Sequence, residues 1–423
     1  MKKISKVLFF GLMAITTSVT LAEQVVIKAG NLLDVKSGKL RKNQVITIKD
    51  GVIVAVSNKM PEISKQDTVY DLSDKFVLPG LMDMHTHVTA NLSKQFHDRY
   101  FQSPHRATIG GVVNAEKTLL AGFTTIRNVG AHDYQDVALR NAIDAGEVPG
   151  PRMAVSGPSI SITGGHCDSN VLNHSFKEKS MGVADGPWAV RQKVRQNVKY
   201  QVDVIKLCAT GGVFSKGTKV GMRQYTLEEM KSIVDEAHTH GKTVAAHAHG
   251  TEGIEFAIKA GVDSIEHGSF LTKETIKLAK KHGTYLSMDI YNTEYTLAEG
   301  EKNGVPQENL DKEKQVGTRQ RESFSRAVKA GAKMVYGTDA QIYPHGDNAK
   351  QFSRMTKFGM TPLQAIQAAT INSADLLKRQ DKVGQIKAGL FADIIAVEQN
   401  PLKAIETLEK VTFVMKGGKV YKQ

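Results

Sequence analysis

Apolar and polar residues alternate with two different periods along the chain. Near the amino terminus, QVVIKAGNLLDVKSGKLRKNQVITIKDGVIVAV alternates with a period of two and is interrupted by SGK and KDG, which predicts β-hairpins. The carboxyl-terminal segments GQIKAGLFADIIAVEQNP and VTFVMKGGKVYKQ show the same pattern. Each end is too short to fold well alone, so we expect both to pair in one small β-sandwich domain, with parts at residues 23–80 and 379–423.

Between these ends, residues 81–378 alternate short apolar strands with amphipathic helices. The strand candidates are LMDMH, FTTIRNVG, RMAVSG, VDVIKLCA, TVAAHAHG, DSIEHG, TYLSMD and KMVYGTD. Helix patterns such as LEEMKSIVDEAHTHG and TKETIKLAKKHG lie between several of them and end in Gly. This order predicts an α/β fold with a closed (β/α)8 TIM barrel. An open doubly wound sheet is the alternative, but no Gly-rich dinucleotide fingerprint follows the first strand.

The first 22 residues have the pattern of a secretory signal peptide. Lys2, Lys3 and Lys6 precede the apolar run VLFFGLMA, and small residues lead to Ala22. An amino-terminal membrane helix is the alternative, but the apolar run is too short to span a bilayer. We therefore expect cleavage after Ala22, a periplasmic or secreted protein, and no stable membrane association once the peptide is removed.

Composition and charge limit the class of partner. The chain has 423 residues, 41% of them hydrophobic, and a formal net charge of +13. Its basic residues are spread along helix faces without an aromatic-interleaved basic block, so we expect no nucleic-acid partner. Two cysteines, Cys167 and Cys208, exclude a disulfide scaffold. Export would permit one bridge between them, and the sequence leaves both this bridge and a homo-oligomeric state open.

Polar residues occur at the carboxyl ends of the predicted barrel strands, where a barrel places its active site. They are His85, His87, Lys206, His247, His249, His267 and Asp339. Side chains two residues apart in a strand face the same way, so His85 and His87 can converge on one metal ion. Lys206 is unusual, because burial of an ammonium group is unfavourable. One solution is a carbamate, formed by the neutral amine and carbon dioxide, that bridges two metal ions.

In this order, these residues resemble those of the amidohydrolase superfamily. The resemblance extends over the mature chain, from VLPGLMDMHTHV to GQIKAGLFADIIAV. It implies that His85, His87 and Asp339 hold one metal ion, that His247 and His267 hold a second, and that the carbamylated lysine bridges both. Zinc is the expected ion, since imidazole nitrogen and carboxylate-like oxygen suit a hydrolytic zinc site. A mononuclear site is the alternative.

The same resemblance implies a mechanism. A hydroxide held between the metal ions attacks a carbonyl carbon, and Asp339 takes its proton and passes it to the leaving amine. His249 shares the inward face with His247, so spacing alone leaves open which of the two is a ligand. The pattern of the family favours His247 and places His249 near the substrate. His238 and His240, near a helix end in EAHTHGK, are expected outside the site.

The motifs SITGGHCD, MRQYTLEEM and YGTDA look like the imidazolonepropionase-related branch of the superfamily, which includes metal-dependent carboxypeptidases and dipeptidases. The chain leans toward the arginine carboxypeptidase-like members. We therefore expect hydrolysis of the amide bond to a C-terminal amino acid in dipeptides or N-acyl amino acids, with Arg or Lys as the leaving residue. A prolidase and a hydrolase of cyclic amides or imides are the alternatives.

Substrate contacts are expected from two residues on loops after the strands. His166 in TGGHCD and Tyr225 in RQYTLEE can both donate hydrogen bonds to a carboxylate or a developing oxyanion. The alternative for Tyr225 is a packing residue at a helix start. A basic leaving residue also needs an acidic pocket wall, for which Asp168, Asp289 and Asp347 are candidates that the sequence does not rank.

Overall fold

The structure is a computed structural model, and it describes residues 23–90 and 101–423. The predicted signal peptide, residues 1–22, lies outside the described residues. Within the described ranges, no helix is both long enough and apolar enough to cross a bilayer.

Strands alone occupy the two ends of the described chain, and strands alternate with helices between them. The strands are β1 (Val25–Asp34), β2 (Lys39–Lys49), β3 (Val52–Ser57), β4 (Thr68–Pro79), β5 (Leu81–Thr86), β6 (Phe123–Asn128), β7 (Arg152–Val155), β8 (Val204–Cys208), β9 (Thr243–Ala248), β10 (Ser264–His267), β11 (Tyr285–Ser287), β12 (Met334–Val335), β13 (Ile394–Val397), β14 (Phe413–Lys416) and β15 (Lys419–Lys422). The helices are α1 (Pro104–Leu120), α2 (Gln135–Asp144), α3 (Pro187–Lys199), α4 (Leu227–Thr239), α5 (Thr251–Ala260), α6 (Lys273–His282), α7 (Asn292–Glu299), α8 (Gln307–Lys329), α9 (Lys350–Lys357), α10 (Pro362–Ala368) and α11 (Ile371–Leu376).

The helix ends follow from local sequence. α4 begins with a capping box, in which the Thr226 side chain accepts from the Glu229 N–H and the Glu229 side chain accepts from the Thr226 N–H. α6 ends at Gly283 with φ of 73°, a conformation that costs glycine little because it has no Cβ. The predicted helix stops at glycine are thus confirmed for this element.

The strands from the two chain ends form one sheet, in the order β15-β14-β13-β4-β1-β2-β3. β4 pairs antiparallel with β13, with Val77 opposite Ala396, so both ends share the sheet as expected. At the β3 edge, the Ile53 N–H donates to the carbonyl of Leu390, shortly before β13 (2.9 Å). The sheet therefore curls around an apolar core, which includes Ile27, Ile46, Ile53, Val77, Ile394, Phe413 and Met415.

In the described middle of the chain, parallel strands form two sheets, β5-β6-β7 and β8-β9-β10-β11-β12. Backbone hydrogen bonds join these sheets at both edges. The Ile160 N–H, beyond β7, donates to the Lys206 carbonyl in β8, and the Met84 N–H in β5 donates to the Tyr336 carbonyl just beyond β12, both at 2.8 Å. The α/β class is thereby confirmed. Parallel strands that follow one another in this way bring their carboxyl ends to one side, where the candidate ligands lie.

The predicted domain boundaries fall between elements. Residue 80 separates β4 from β5, and residue 378 follows α11. The division into residues 23–80, 81–378 and 379–423 stays a prediction.

Candidate active site

The structure places the six predicted metal ligands within the parallel strands or shortly beyond their carboxyl ends. They lie at the end of β5 (His85), one residue beyond it (His87), in β8 (Lys206), in β9 (His247), at the end of β10 (His267) and shortly after β12 (Asp339). All of them are buried except His87, which is partly exposed. Residues far apart in the sequence thus share one edge of the parallel strands, and their role as ligands stays a prediction.

One group of ligand atoms surrounds the Asp339 carboxylate. The Oδ1 atom of Asp339 lies 3.3 Å from Nε2 of His87 and 3.5 Å from Nε2 of His85. The ligand atoms of these three residues all lie within 4.8 Å of one another. This first group is the set that the family resemblance assigned to one metal ion.

A second group consists of His247, His249 and His267, whose ligand atoms also lie within 4.8 Å of one another. The His267 ring lies 4.5 Å from the His247 ring and 4.9 Å from the His85 ring between centroids, so it connects the two groups. Both His247 and His249 belong to this group. The geometry therefore leaves both of them as possible ligands, as the spacing of the sequence did.

Acceptor oxygens lie beside the Nδ1 atoms of several of these rings. Nδ1 of His85 lies 3.0 Å from the Glu266 carboxylate, and Nδ1 of His267 lies 2.9 Å from the Asp289 carboxylate. Nδ1 of His87 lies 3.1 Å from the Gly130 carbonyl. Because carbonyl and carboxylate oxygens only accept, these contacts favour the tautomer with the proton on Nδ1, which leaves the Nε2 lone pair for a metal ion.

The sequence analysis missed Glu266 and named Asp289 only as a possible pocket wall. The Glu266 carboxylate lies beside His85, and the Asp289 carboxylate bonds to His267. An oxygen of Asp289 also lies within 4.8 Å of ligand atoms of His267 and Asp339, so Asp289 is a further candidate ligand. The signal for Glu266 was its position in SIEHG, directly before His267 in a buried strand. A buried carboxylate needs a partner, but only the tertiary structure shows that the partner is a histidine of another strand.

Two of the candidate ligands have unusual backbone conformations. His267 has φ of 68° and Asp339 has φ of 54°, in the left-handed region that non-glycine residues seldom adopt. Such strained residues are concentrated at functional sites, where the surrounding structure holds them in place. In these conformations, both side chains lie in the same cluster.

The two groups fit divalent metal ions. Nε2 of His247 and Oδ1 of Asp339 are buried without a hydrogen-bond partner. Such orphaned atoms are unfavourable unless something binds them. Imidazole nitrogens and a carboxylate oxygen converging in this way suit zinc or a similar ion.

Burial keeps most of the histidines neutral, which is the form that binds metal. It lowers the pKa of His85 to about 3, and the nearby Lys206 ammonium acts in the same direction. Burial, reinforced by neighbouring histidines, also holds the pKa of His87, His247 and His249 well below the usual range. The rings therefore offer lone pairs near neutral pH.

Lys206 and Asp339 are perturbed in opposite directions. Burial lowers the pKa of Lys206 to about 8, although the carboxylates of Glu266 and Asp339 act against this change. Burial raises the pKa of Asp339 to about 7, and the neighbouring His267 acts against that. A lysine that loses its proton more easily and a carboxyl group that binds one more readily thus occupy the same cluster.

His166 is part of this cluster. Its ring stacks on the ring of His247, with 4.0 Å between centroids and 24° between planes. The ring Nδ1 of His166 lies 2.8 Å from the Ser215 hydroxyl, and the backbone N–H of His166 donates to the Gln224 side chain at 3.1 Å. His249, also predicted as a substrate contact, is held by the Ser269 hydroxyl at 2.7 Å from its Nδ1.

Tyr225 requires a correction. Its side chain is fully buried in the main apolar core, and its hydroxyl donates to the Ala184 carbonyl at 2.8 Å. The side chain of the preceding residue, Gln224, accepts from the backbone N–H of His166. Neighbouring side chains in an extended segment point in opposite directions, so the Tyr225 side chain points away from His166. Tyr225 is thus a packing residue, and Gln224 is the residue of this segment that contacts the His166 loop.

The acidic candidates for a basic leaving residue are all engaged. Asp168 accepts from the Gly164 and Ser180 N–H groups, both at 2.9 Å. Asp347 pairs with Lys350 at 2.8 Å, and Asp289 holds His267.

The two cysteines, whose pairing the sequence left open, are joined in the structure. Cys167 and Cys208 form a disulfide with 6.3 Å between their Cα atoms.

The sequence matches the profile of the Amidohydrolase family over residues 76–421. The chain belongs to the amidohydrolase family. A curated relative of this amidohydrolase, ochratoxinase of Aspergillus niger, is 31% identical over 428 residues, which cover 95% of this chain and 87% of the relative. The resemblance inferred from the sequence motifs is therefore confirmed at the level of the family.

Two solved structures are similar to this amidohydrolase over nearly all of its length. A Xaa-Pro dipeptidase with methionine bound in its active site is 37% identical, with a TM-score of 0.90, and covers 95% of this chain and 100% of its own. A prolidase in complex with N-methylphosphonate-L-proline is 29% identical, with a TM-score of 0.86, and covers 95% of this chain and 100% of its own.

Proposed function

We propose that this amidohydrolase is a metal-dependent hydrolase that cleaves the amide bond to a C-terminal amino acid in dipeptides or N-acyl amino acids. The observation that carries the proposal is that two groups of candidate ligand atoms, one around Asp339 and one around His267, lie side by side in the structure. The proposal includes a closed (β/α)8 barrel, supported by the hydrogen bonds at both edges of the two parallel sheets.

The proposed metal centre holds two divalent ions, most simply zinc. His85, His87 and Asp339 would hold one, and His247 and His267 the other. When bound, such ions supply Lewis-acid activation of the amide carbonyl and of water. Lys206, with its pKa lowered to about 8 by burial, is suited to form the bridging carbamate because more of its amine is neutral near pH 7.

The chain's own residues then have distinct tasks. Asp339 accepts the proton of the attacking water and delivers it to the leaving nitrogen, because its carboxylate lies among the candidate ligands beside His85 and His87. Glu266 and Asp289 hold the rings of His85 and His267 in place. His166, at the edge of the cluster, binds the carboxylate of the substrate.

The leaving residue is the finer question, and we propose that it is neutral rather than basic. The sequence favoured Arg or Lys, which would need an acidic wall. Asp168, Asp289 and Asp347 are all committed to other partners in the structure. In the solved relatives, the bound molecules are methionine and a phosphonate of proline, both with neutral side chains. Xaa-Pro and Xaa-Met are therefore the dipeptides that we expect to be cleaved faster than Xaa-Arg and Xaa-Lys.

A panel of dipeptides with one shared first residue tests the proposal. Zinc-loaded protein should release the C-terminal amino acid, and amidated versions of the same dipeptides should react on the order of a hundredfold more slowly, because a site that binds the carboxylate is left unmatched. Equal rates for free and amidated substrates would reject the proposal. A kcat/KM ratio for Xaa-Arg over Xaa-Pro well above one would restore the carboxypeptidase assignment, and turnover of cyclic imides alone would favour the non-peptidase alternative.

His166 offers a sharper test with a matched control. We expect His166→Ala to raise KM for dipeptides about tenfold or more, since a charge-binding contact is lost. His174→Ala is the control, because His174 is an exposed histidine of the same segment between β7 and α3. Unchanged KM in the His166 variant would remove this residue from the proposed substrate site.

A further inference from the structure

We propose that the Cys167–Cys208 disulfide is a positioning element of the active site, which holds His166 against His247. The inference rests on the proposed function only in naming the substrate carboxylate as the group that His166 binds. Its structural basis is independent of the reaction.

The bridge connects the His166 loop to the strand that carries Lys206. Cys167 directly follows His166, and Cys208 lies in β8 two residues after Lys206. In the parallel pair of β8 and β9, Cys208 lies opposite His247. The covalent link therefore ends beside the histidine on which the His166 ring stacks at 4.0 Å.

The other contacts of His166 depend on close fit. Its Nδ1 lies 2.8 Å from the Ser215 hydroxyl, and its N–H donates to Gln224 at 3.1 Å. Gly212 lies so close that a Cβ there would be 2.4 Å from Cε1 of the His166 ring. These contacts form only when the loop already lies in the position seen in the structure. A covalent bridge one residue away reduces the number of conformations that the loop can adopt, and so favours that position.

The exposure of the loop explains why it needs such a link. Thr163 and Gly164, at its tip, are exposed, and His166 and Cys167 are partly exposed. Cys208 is fully buried in the core. The bridge thus connects a surface segment to a buried strand.

Reduction by a water-soluble phosphine tests the role of the bridge. Phosphorus attacks one sulfur, the other leaves as a thiolate, and water converts the phosphonium adduct to phosphine oxide, which leaves two thiols on the protein. None of the proposed ligands is a cysteine, so the metal content should stay constant while the loop is released.

The experiment compares oxidised and fully reduced zinc-loaded protein, with free thiols counted in each sample. We expect KM for Xaa-Pro to rise about fivefold or more on reduction, with kcat changed less than twofold and metal content unchanged. Amide hydrogen exchange in residues 161–170 should increase. The double variant Cys167→Ser/Cys208→Ala should behave as reduced protein does and should not respond to phosphine.

The outcomes separate this inference from the proposed function. Complete reduction with unchanged KM and unchanged exchange in residues 161–170 would overturn it, as would loss of metal on reduction. Reduction of His166→Ala should produce no further rise in KM, whereas a further rise would show that the bridge acts through another residue and would overturn the assignment. If oxidised protein cleaves no dipeptide, the proposed function fails, and the exchange measurement still decides whether the bridge holds the loop.

Discussion

At the scale of single residues, burial sets the protonation states of the site. Burial lowers the pKa of His85, His87, His247 and His249 and of Lys206, and raises the pKa of Asp339, in each case because burial disfavours the charged form. The pKa of His267 is raised instead, because its burial is outweighed by the carboxylates of Asp289 and Asp339. Groups perturbed in this way, gathered in one cluster, are typical of catalytic sites. Structural ion pairs also shift pKa values, so variants must distinguish the two roles.

Replacement of the buried lysine is the first such variant. We expect Lys206→Ala to lose at least one of two metal ions and about a hundredfold or more of kcat, because the bridging group of the proposed centre is gone. Elemental analysis and dipeptide kinetics measure the two effects. Lys277→Ala, at an exposed position of α6, is the control and should keep both ions. Full metal content and activity in Lys206→Ala would disprove the carbamate.

Glu313 gives a prediction on stability at the same scale. It is a buried residue of α8 bonded to the Thr293 hydroxyl, and burial raises its pKa to about 7. The folded chain binds the proton of the Glu313 carboxyl group more tightly than the unfolded chain does. Protonated Glu313 therefore contributes fully to stability below about pH 4.5, and this contribution is lost as the pH rises to 7. We expect Glu313→Gln to be more stable than the parent at pH 8, by about 1 to 3 kcal/mol, and similar to it at pH 5. Thermal unfolding at both pH values measures this difference, and an equal effect at both would contradict it.

At the scale of elements, buried polar side chains connect strands that carry the site. Arg127 in β6 donates to Glu266 in β10 at 2.7 Å, and Glu266 also holds His85 in β5. Burial opposes ionisation of Glu266, but the Arg127 guanidinium and His85 hold its pKa well below the usual range. The ion pair is therefore maintained in the core and fixes three strands relative to one another.

Breaking this pair should destabilise the whole protein. Arg127→Met leaves the Glu266 carboxylate buried without its cation, which costs about 3 to 5 kcal/mol. We expect a fall of several degrees in the apparent melting temperature. Lys259→Met is the control, because it removes an exposed pair with Glu255 and should cost less than about 1 kcal/mol. A similarly small fall in the melting temperature of both variants would show that the buried pair contributes no more to stability than the exposed pair.

α8 is a second connecting element. Its Lys312 donates to the Ser215 carbonyl at 2.7 Å, and its Gln320 donates to Asp289 at 3.1 Å. Ser215 holds His166 and Asp289 holds His267. One helix thus supports two loops that carry site residues, which explains why its buried face carries polar side chains among apolar ones.

At the scale of the whole molecule, the two ends of the chain complete one sheet around the apolar core that includes Ile27 and Phe413. β1 begins at Val25, three residues after the predicted cleavage site. Cleavage after Ala22 would therefore leave every described strand intact.

Export is the prediction that belongs to this scale. Mass spectrometry of protein from its native host should show Glu23 as the first residue, in the periplasmic or secreted fraction. Cytosolic protein that begins with Met1 would contradict it. The disulfide accords with an oxidising compartment, in which such bonds persist.

The sequence by itself determined the kinds of elements and the positions of the candidate ligands. Alternation with a period of two marks strands with one buried face, and glycine marks the helix stops, because both depend on neighbouring residues alone. His85, His267 and Asp339 could be found because they lie at or beyond strand ends, and the order of parallel strands places those ends together.

Only the tertiary structure decided which partners these residues have. The carboxylate behind His85 comes from a distant strand, and the sulfur bonded to Cys167 lies in β8. No local pattern encodes such contacts. Tyr225 shows the same limit, because a loop residue can face the site or the core according to a single rotation of the backbone. Its direction is set by the packing of elements that the loop connects, and packing depends on the whole chain at once.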